Sequence, residues 1–154
     1  MAHGELTAGG SSAGVEPWTP PAVGPQGNSD SPLTPAQRNT LDEVIAVAER
    51  TTGLRFSVYV GDLGAQTRAT AEALHSGLGA EAVVAVLLAL SPGQHIVEVV
   101  TGAEAARRIS DRSARLAVLS TIASCSEGDL IGGLVNGVRT LADQAGTLPE
   151  RSHW

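Results

Sequence analysis

The stretch AVVAVLLALSPGQHIVEVVTG, residues 82–102, decides the fold of this chain. Its first half, Val83–Leu88, is apolar at every position, which is typical of a central strand covered on both faces. Ser91–Gln94 carries the proline and glycine of a turn, and His95–Val100 then predicts a returning strand. The stretch therefore predicts an antiparallel hairpin whose first strand lies in the middle of a sheet.

The residues before the hairpin predict a helix, a strand and a second helix. Thr34–Gln37 forms a capping box with proline at the first helical position, and Gly53 suits the end of that helix. Arg55–Val60 alternates as a strand does, and residues 66–78 predict the helix that joins it to Val83–Leu88. Two strands joined through a helix are expected to be parallel, with a right-handed crossover.

The residues after the hairpin predict helices. Ala103–Ile109 suits one short turn, Ser110-Asp111 can begin a longer helix, and Glu127–Asp129 separates that helix from a last one ending near Gly146. The longer helix has a wide apolar arc: Leu116, Val118, Leu119, Ile122 and Cys125. The predicted fold class is α/β, a small mixed sheet with a parallel β-α-β crossover plus an antiparallel hairpin, flanked by helices, in the order α-β-α-β-β-α-α.

The chain divides by composition into a tail and one domain. Residues 1–33 are rich in glycine and proline and poor in hydrophobic residues, so we expect a disordered or loosely docked tail. Within it, Val15–Trp18 could dock on the domain or pair with a sheet edge. Residues 34–146 form the predicted domain, and 147–154 a C-terminal tail.

Charge and cysteine content exclude several classes of protein. The net charge is −6, and all ten basic residues are arginines that form no basic stripe, so nucleic acid is not an expected partner. The single cysteine, Cys125, excludes an intrachain disulfide. No apolar run approaches the ~20 residues of a membrane helix, so we expect no transmembrane segment. The N-terminus lacks a recognisable signal peptide, which favours the cytoplasm.

Several short motifs occur in a characteristic order between Ile96 and Leu141. They are Thr101-Gly102, Ile109-Ser110-Asp111, Glu127-Gly128-Asp129, Gly133, Gly137 and Leu141. In this order they resemble the TPM-domain family, and the likeness covers about residues 34–146. It implies a TPM-like fold in an actinobacterial branch of unassigned function. Some family members are credited with acid phosphatase activity and divalent-ion binding; their polar segment, often Asp-Asn-Gly, is Gly79-Ala80-Glu81 here.

Candidate binding residues lie near the ends of the predicted elements. Acids there could ligate a hard cation such as Ca²⁺ or Mg²⁺, and a glycine turn followed by arginine could hold an anion. These candidates are Asp62, Glu81, Thr101, Gly102, Glu104, Arg107 and Asp111. The hairpin places Asp62 and Thr101 at opposite ends of the sheet, whereas Glu81 could approach Glu104. Helix capping and turn formation account for the same residues without any ligand.

The remaining polar residues predict no catalytic centre. His75 has no spaced metal-ligand partner and is expected at the surface, and Cys125 is expected in the core. Gly133 and Gly137 predict close backbone packing, either inside the domain or at an interface. We therefore expect a soluble module without cofactor that acts through contacts with another protein or self-association. The alternative is an acid-phosphatase-like hydrolase that depends on divalent calcium or magnesium.

Overall fold

The computed structural model describes the backbone of residues 4–8 and all atoms of residues 33–147. The described strands form one four-stranded mixed sheet in the order β1-β2-β3-β4. They are β1 (Gly4–Ala8), β2 (Arg55–Gly61), β3 (Ala85–Ser91) and β4 (Ile96–Thr101). β2 and β3 are parallel, and the other two pairs are antiparallel. The α/β class, the antiparallel hairpin and its central first strand are thus confirmed.

Within residues 33–147, four α-helices flank the sheet: α1 (Pro35–Thr52), α2 (Thr67–Ser76), α3 (Asp111–Ser126) and α4 (Leu130–Ala145). Short 3₁₀ helices cover Gly79–Val84 and Ala105–Arg107. The capping box of α1 is present, because the Thr34 hydroxyl accepts from the Gln37 N–H (3.1 Å) and the Gln37 side chain accepts from the Thr34 N–H (2.9 Å). From residue 34 onward the elements follow the predicted order.

The predicted start of the central strand is wrong by two residues. Val83 and Val84 belong to the 3₁₀ helix, and β3 begins at Ala85. The reason is the length of the neighbouring strand: β4 ends at Thr101, which pairs with Val86. Beyond that pair the chain turns away at Gly102, so the two valines have no strand partner on the β4 side.

The strand β1 lies inside the segment predicted to be a tail. Gly4–Ala8 pairs antiparallel with β2, in register from Gly4 opposite Gly61 to Ala8 opposite Ser57. These five residues are docked on the domain by backbone pairing, which does not require an apolar side-chain pattern. The predicted docking of Val15–Trp18 lies outside the described residues, and the domain boundaries stay predictions.

Two apolar clusters fill the spaces on either side of the sheet. The larger lies under α1, α3 and α4, with α4 between the other two helices and its Leu134, Val138 and Leu141 fully buried. The smaller lies under α2, where Ala71 and Leu74 cover the opposite face. Of the described helices, three therefore cover one face of the sheet and one covers the other, as a layered α/β domain requires.

One guanidinium joins the ends of two helices. Arg108 Nη1 donates to the Thr52 carbonyl at the end of α1 (2.6 Å). Its Nη2 donates to the carbonyls that end α4, those of Ala145 (3.2 Å), Gly146 (3.0 Å) and Thr147 (3.1 Å). A cation at a helix C-terminus satisfies free carbonyls and complements the helix dipole. Arg108 thus fixes α1 and α4 to each other.

Candidate functional site

The contact between α3 and α4 leaves no room for side chains on two glycines. A Cβ at Gly133 would lie 2.8 Å from Cys125 Sγ and 2.9 Å from the Thr121 carbonyl oxygen. A Cβ at Gly137 would meet Thr121 Oγ1 and would lie 2.9 Å from a methyl of Leu88 in β3. The glycines therefore serve close packing inside the domain, and that prediction is confirmed.

The side of α3 that enters this contact carries small residues. Ala117 and Thr121 are its buried residues, and the Thr121 hydroxyl is satisfied by donating to the Ala117 carbonyl (2.9 Å). Because small residues fill the contact with α4, three of the larger apolar residues of α3 lie on another side of the helix. Leu116, Leu119 and Ile122 are 47%, 58% and 39% exposed. The wide apolar arc predicted for α3 is therefore split, and only part of it reaches the core.

The three exposed residues share one side of the helix, because residues spaced by three are neighbours on a helical surface. At the Ile122 end this apolar stripe opens into a groove of about 360 Å³ between α3, the β3–β4 turn and the start of α4. The groove is lined by Leu90, Pro92, His95, Val97, Ile122, Cys125, Ser126 and Leu130. We call Leu116, Leu119, Ile122 and this groove the α3 surface.

The two ends of the α3 surface carry opposite charge. Arg112 and Arg115 are exposed near the start of the helix, and Glu127 is exposed just after its end. Among residues 33–147 none of these three side chains forms an ion pair. The apolar stripe thus runs from a cationic end to an anionic end, and both remain available to a partner.

Cys125 lines the groove, but its surroundings are not those of a nucleophilic cysteine. It is half-buried and packs against the core. Burial, and to a lesser extent the nearby Asp129 carboxylate, raises the pKa of its thiol. The thiol is therefore protonated at neutral pH, whereas a reactive cysteine needs the thiolate.

The structure places Asp62 and Thr101 at opposite ends of the sheet, as the hairpin predicted. Thr101 pairs with Val86 near the start of β3, whereas Asp62 follows the last residue of the parallel strand β2. The Asp62 carboxylate accepts from the Gly64 N–H (3.0 Å), so it closes a local turn. Asp62 therefore shares no site with the Thr101 end.

A side-chain amide holds the Asp62 loop to the hairpin. Gln94 accepts from the Leu63 N–H (2.8 Å) and donates to the Gly64 carbonyl (2.8 Å). The Tyr59 hydroxyl donates to the Asp62 carbonyl (2.9 Å), and burial, followed by the Asp62 charge, raises the pKa of that phenol. The loop's polar groups are thus used by the protein itself.

The turn at Thr101-Gly102 has its N–H groups engaged. The Gly102 N–H donates to the Ala85 carbonyl (2.9 Å), and the Glu104 N–H donates to the Val83 carbonyl (2.8 Å). Arg107 is 75% exposed and lies 3.6 Å from the Glu104 carboxylate. An anion held here would have to displace backbone hydrogen bonds, so the geometry favours the turn interpretation.

Glu81 and Asp111 lie in separate surroundings. Glu81 pairs with Arg55 at 3.5 Å, and Arg55 also lies 3.8 Å from Glu49. Asp111 is the first residue of α3, and the cap is Ser110, whose hydroxyl accepts from the Ser113 N–H. Within the described ranges, no three His, Cys, Asp or Glu side chains are grouped so that they could hold a metal ion.

His75 was predicted at the surface, and the structure shows that this is wrong. Only 8% of His75 is exposed, and Nε2 donates to the Ala85 carbonyl (3.0 Å). The residue lies on α2 next to Leu74, where the helix rests on the sheet, so a long polar side chain reaches the start of β3. His75 therefore contributes a buried hydrogen bond between α2 and the start of β3.

Comparison with known proteins identifies the family. The profile described as "Domain of unknown function (DUF5130)" matches residues 21–142. The chain belongs to the DUF5130 family. Uncharacterized proteins of Mycobacterium tuberculosis strains CDC 1551 / Oshkosh and H37Rv are each 35% identical to this DUF5130 chain over 118 residues, which cover 77% of it and 69% of the relative.

Solved structures share the fold. The N-terminal domain of a protein from P. gingivalis aligns with a TM-score of 0.63 at 19% identity, over 73% of this chain and 75% of that one. The N-terminal domain of the cg2496 protein from Corynebacterium glutamicum aligns with a TM-score of 0.62 at 12% identity, over 80% and 84%. At such identities the likeness concerns the fold alone. In the part of the DUF5130 chain that the structure describes, no helix is long and apolar enough to cross a bilayer.

Proposed function

We propose that this DUF5130 domain is a protein-interaction module that binds through the α3 surface. The observation that carries the proposal is the exposure of Leu116, Leu119 and Ile122 side by side on one helix. Single exposed apolar residues are ordinary on protein surfaces, whereas a contiguous stripe beside a groove marks a contact site. Binding a protein would remove this stripe from water, and the free energy gained grows with the apolar area covered.

The position of α3 explains why the stripe is open. α4 covers one side of α3, and β4 lies beneath it. α3 is the outer helix of its layer, so no described element covers its remaining side. Leu116, Leu119 and Ile122 keep 47%, 58% and 39% of their surface exposed. That exposed part does not stabilise the domain by burial, which is the reason to assign it to a contact between molecules.

The placement of the acids does not support the hydrolase alternative. Asp62 and Thr101 lie at opposite ends of the sheet, and Glu81 is paired with Arg55. A divalent cation needs several oxygen ligands that converge on one point. The interaction module therefore stands ahead of a metal-dependent acid-phosphatase-like hydrolase. The TPM-like resemblance stays a proposal that the order of elements supports. A cytoplasmic location stays a prediction.

The test is site-specific photo-crosslinking in cells, with the reactive amino acid at Leu119 or at Val47. Val47 is the matched control, because it is a 52% exposed aliphatic residue on α1, away from the α3 surface. We expect discrete protein adducts from position 119 that disappear when Ile122→Glu is added, and none of these adducts from position 47. Absence of adducts at position 119, or equal labelling at both positions, would contradict the proposal.

A further inference from the structure

We propose that the partner of the α3 surface is a second copy of this chain, with the two α3 helices packed antiparallel around a twofold axis at Leu119. The inference rests on the proposed function and names its partner. It is drawn from the order of charges and apolar residues along one exposed helix face.

The apolar residues are symmetric about Leu119. Leu116 and Ile122 lie three residues on either side of it, and all three are exposed. In an antiparallel pair with Leu119 facing its own equivalent, Leu116 of one copy faces Ile122 of the other. A twofold contact must be self-complementary in this way, since the same patch serves both partners.

The charges select the antiparallel direction. Arg112 and Arg115 lie before the apolar stripe, and Glu127 lies after it. Antiparallel packing sets Arg112 of one copy beside Ser126 and Glu127 of the other, whereas parallel packing would bring arginine against arginine. Opposite charges placed across an interface fix its orientation and disfavour the alternatives.

The same charges oppose the dipole of their own helix. Cations are unfavourable near a helix N-terminus and anions near a C-terminus, yet α3 has Arg112 in its first turn and Glu127 as its C-cap residue. Asp111 offsets this in part at the N-terminal end. In an antiparallel pair, each unfavourable charge lies near the opposite pole of the partner helix, so association relieves the conflict.

The contact is modest in extent. A 16-residue helix is about 24 Å long, and the exposed stripe covers its middle turns. Small interfaces give weak, concentration-dependent dimers. The expected species is therefore a monomer–dimer equilibrium that responds to salt, since exposed ion pairs are screened as ionic strength rises.

Sedimentation equilibrium of the full chain at low salt, from about 1 µM to about 1 mM, tests the proposal. We expect a reversible dimer. Leu119→Glu, which sets two carboxylates against each other at the axis, should raise the dissociation constant by ~10-fold or more. Val47→Glu adds the same charge to a different exposed site and should leave the constant unchanged. Circular dichroism checks that each variant is folded.

A charge exchange tests the direction of packing without touching the apolar stripe. Arg112→Glu and Glu127→Arg should each weaken the dimer, and the two changes together should restore it, because the pair then carries reversed but still complementary charges. Failure of the double variant to recover association would overturn the antiparallel arrangement. Both changes are on exposed positions, so loss of folding is not an expected complication.

The outcomes separate the two proposals. A chain that stays monomeric over the whole range, while position 119 still crosslinks to other proteins, overturns the second copy and leaves the interaction module standing. A monomer without crosslinks overturns both. A dimer broken by Val47→Glu and not by Leu119→Glu would place the contact on α1 and overturn this inference.

Discussion

The helices α3 and α4 are each 16 residues long and pack against each other, yet they use their apolar residues in opposite ways. α4 buries its large residues, with Leu134 and Leu141 at 0% exposure. α3 buries Ala117 and Thr121 and exposes Leu119. An apolar residue in a helix therefore does not by itself show burial, because the neighbouring element decides which side of the helix the core covers.

The largest expected effect compares one leucine from each helix. Leu134→Asp would bury an unpaired carboxylate and should lower the free energy of unfolding by about 4 kcal/mol or more, out of a typical 5–15. Leu119→Asp adds the same group to an exposed site and should cost only about 0.5–1 kcal/mol. Urea unfolding at low protein concentration measures both. Similar losses in the two variants would break the comparison.

The next largest expected effect concerns the hydrogen bonds that Arg108 donates at the C-terminal ends of α1 and α4. Arg108→Met removes four hydrogen bonds from a cation to the ends of α1 and α4, so we expect a loss of about 2–4 kcal/mol. Arg107→Met is the control; its guanidinium is exposed and pairs with Glu104, which is worth roughly 0–0.5 kcal/mol. Thermal melts that cannot tell the two variants apart would show that the interaction between α4 and Arg108 adds nothing.

A smaller effect tests the contact between the helices. Gly137→Ala would place a methyl against Thr121 Oγ1 and Leu88, and overpacking should outweigh the gain in helix propensity by about 1–2 kcal/mol. Thr121→Ala in the same chain removes one of the crowding atoms and should recover part of the loss. Gly93→Ala is the control, because nothing lies within 4 Å of its Cβ position. An unchanged melting temperature for Gly137→Ala would mean that the helices can separate at no cost.

The smallest expected effects are those of replacing two acidic residues that lie outside the α3 surface. Asp62→Asn and Asp111→Asn should each change the free energy of unfolding by about 1 kcal/mol or less. The amide oxygen at position 62 can still accept from the Gly64 N–H, and Ser110 rather than Asp111 caps α3. Calcium or magnesium should shift the melting temperature of neither variant nor of the parent. Ion-dependent stabilisation of the parent that either substitution abolishes would move the hydrolase ahead of the interaction module, because carboxylates supply the anionic ligands.

Much of the fold could be predicted from local pattern. The hairpin followed from an apolar run, a Pro-Gly turn and a second strand, and α1 followed from its capping box. β1 could not be predicted, since Gly4–Ala8 joins the sheet by backbone hydrogen bonding to β2 and not by an apolar pattern. Val83 and Val84 suit a strand, but they lie beyond the end of β4.

Less of the candidate site than of the fold could be predicted from the sequence. The hairpin alone separated Asp62 from Thr101 correctly, because strand direction fixes which ends meet. The exposure of Leu119 could not be read, since apolar content does not say which side of α3 another helix covers. One feature of the sequence did point to the buried side of α3. Gly133 and Gly137 in α4 indicate a close helix contact, and the small residues Ala117 and Thr121 are the ones in α3 that fit it.

The bonds of Arg108 also bear on the order in which the chain can complete its structure during synthesis. The Thr52 carbonyl lies 56 residues before Arg108, and the α4 acceptors lie 37 to 39 residues after it. A ribosome releases the chain from its N-terminus, so the sheet and α1 emerge before α4 exists. Until then one apolar face of the nascent sheet lacks its central helix and the guanidinium has acceptors on one side only. Residues 145–147 supply the missing acceptors, so the core and the hydrogen bonds of Arg108 are completed only after α4 has emerged.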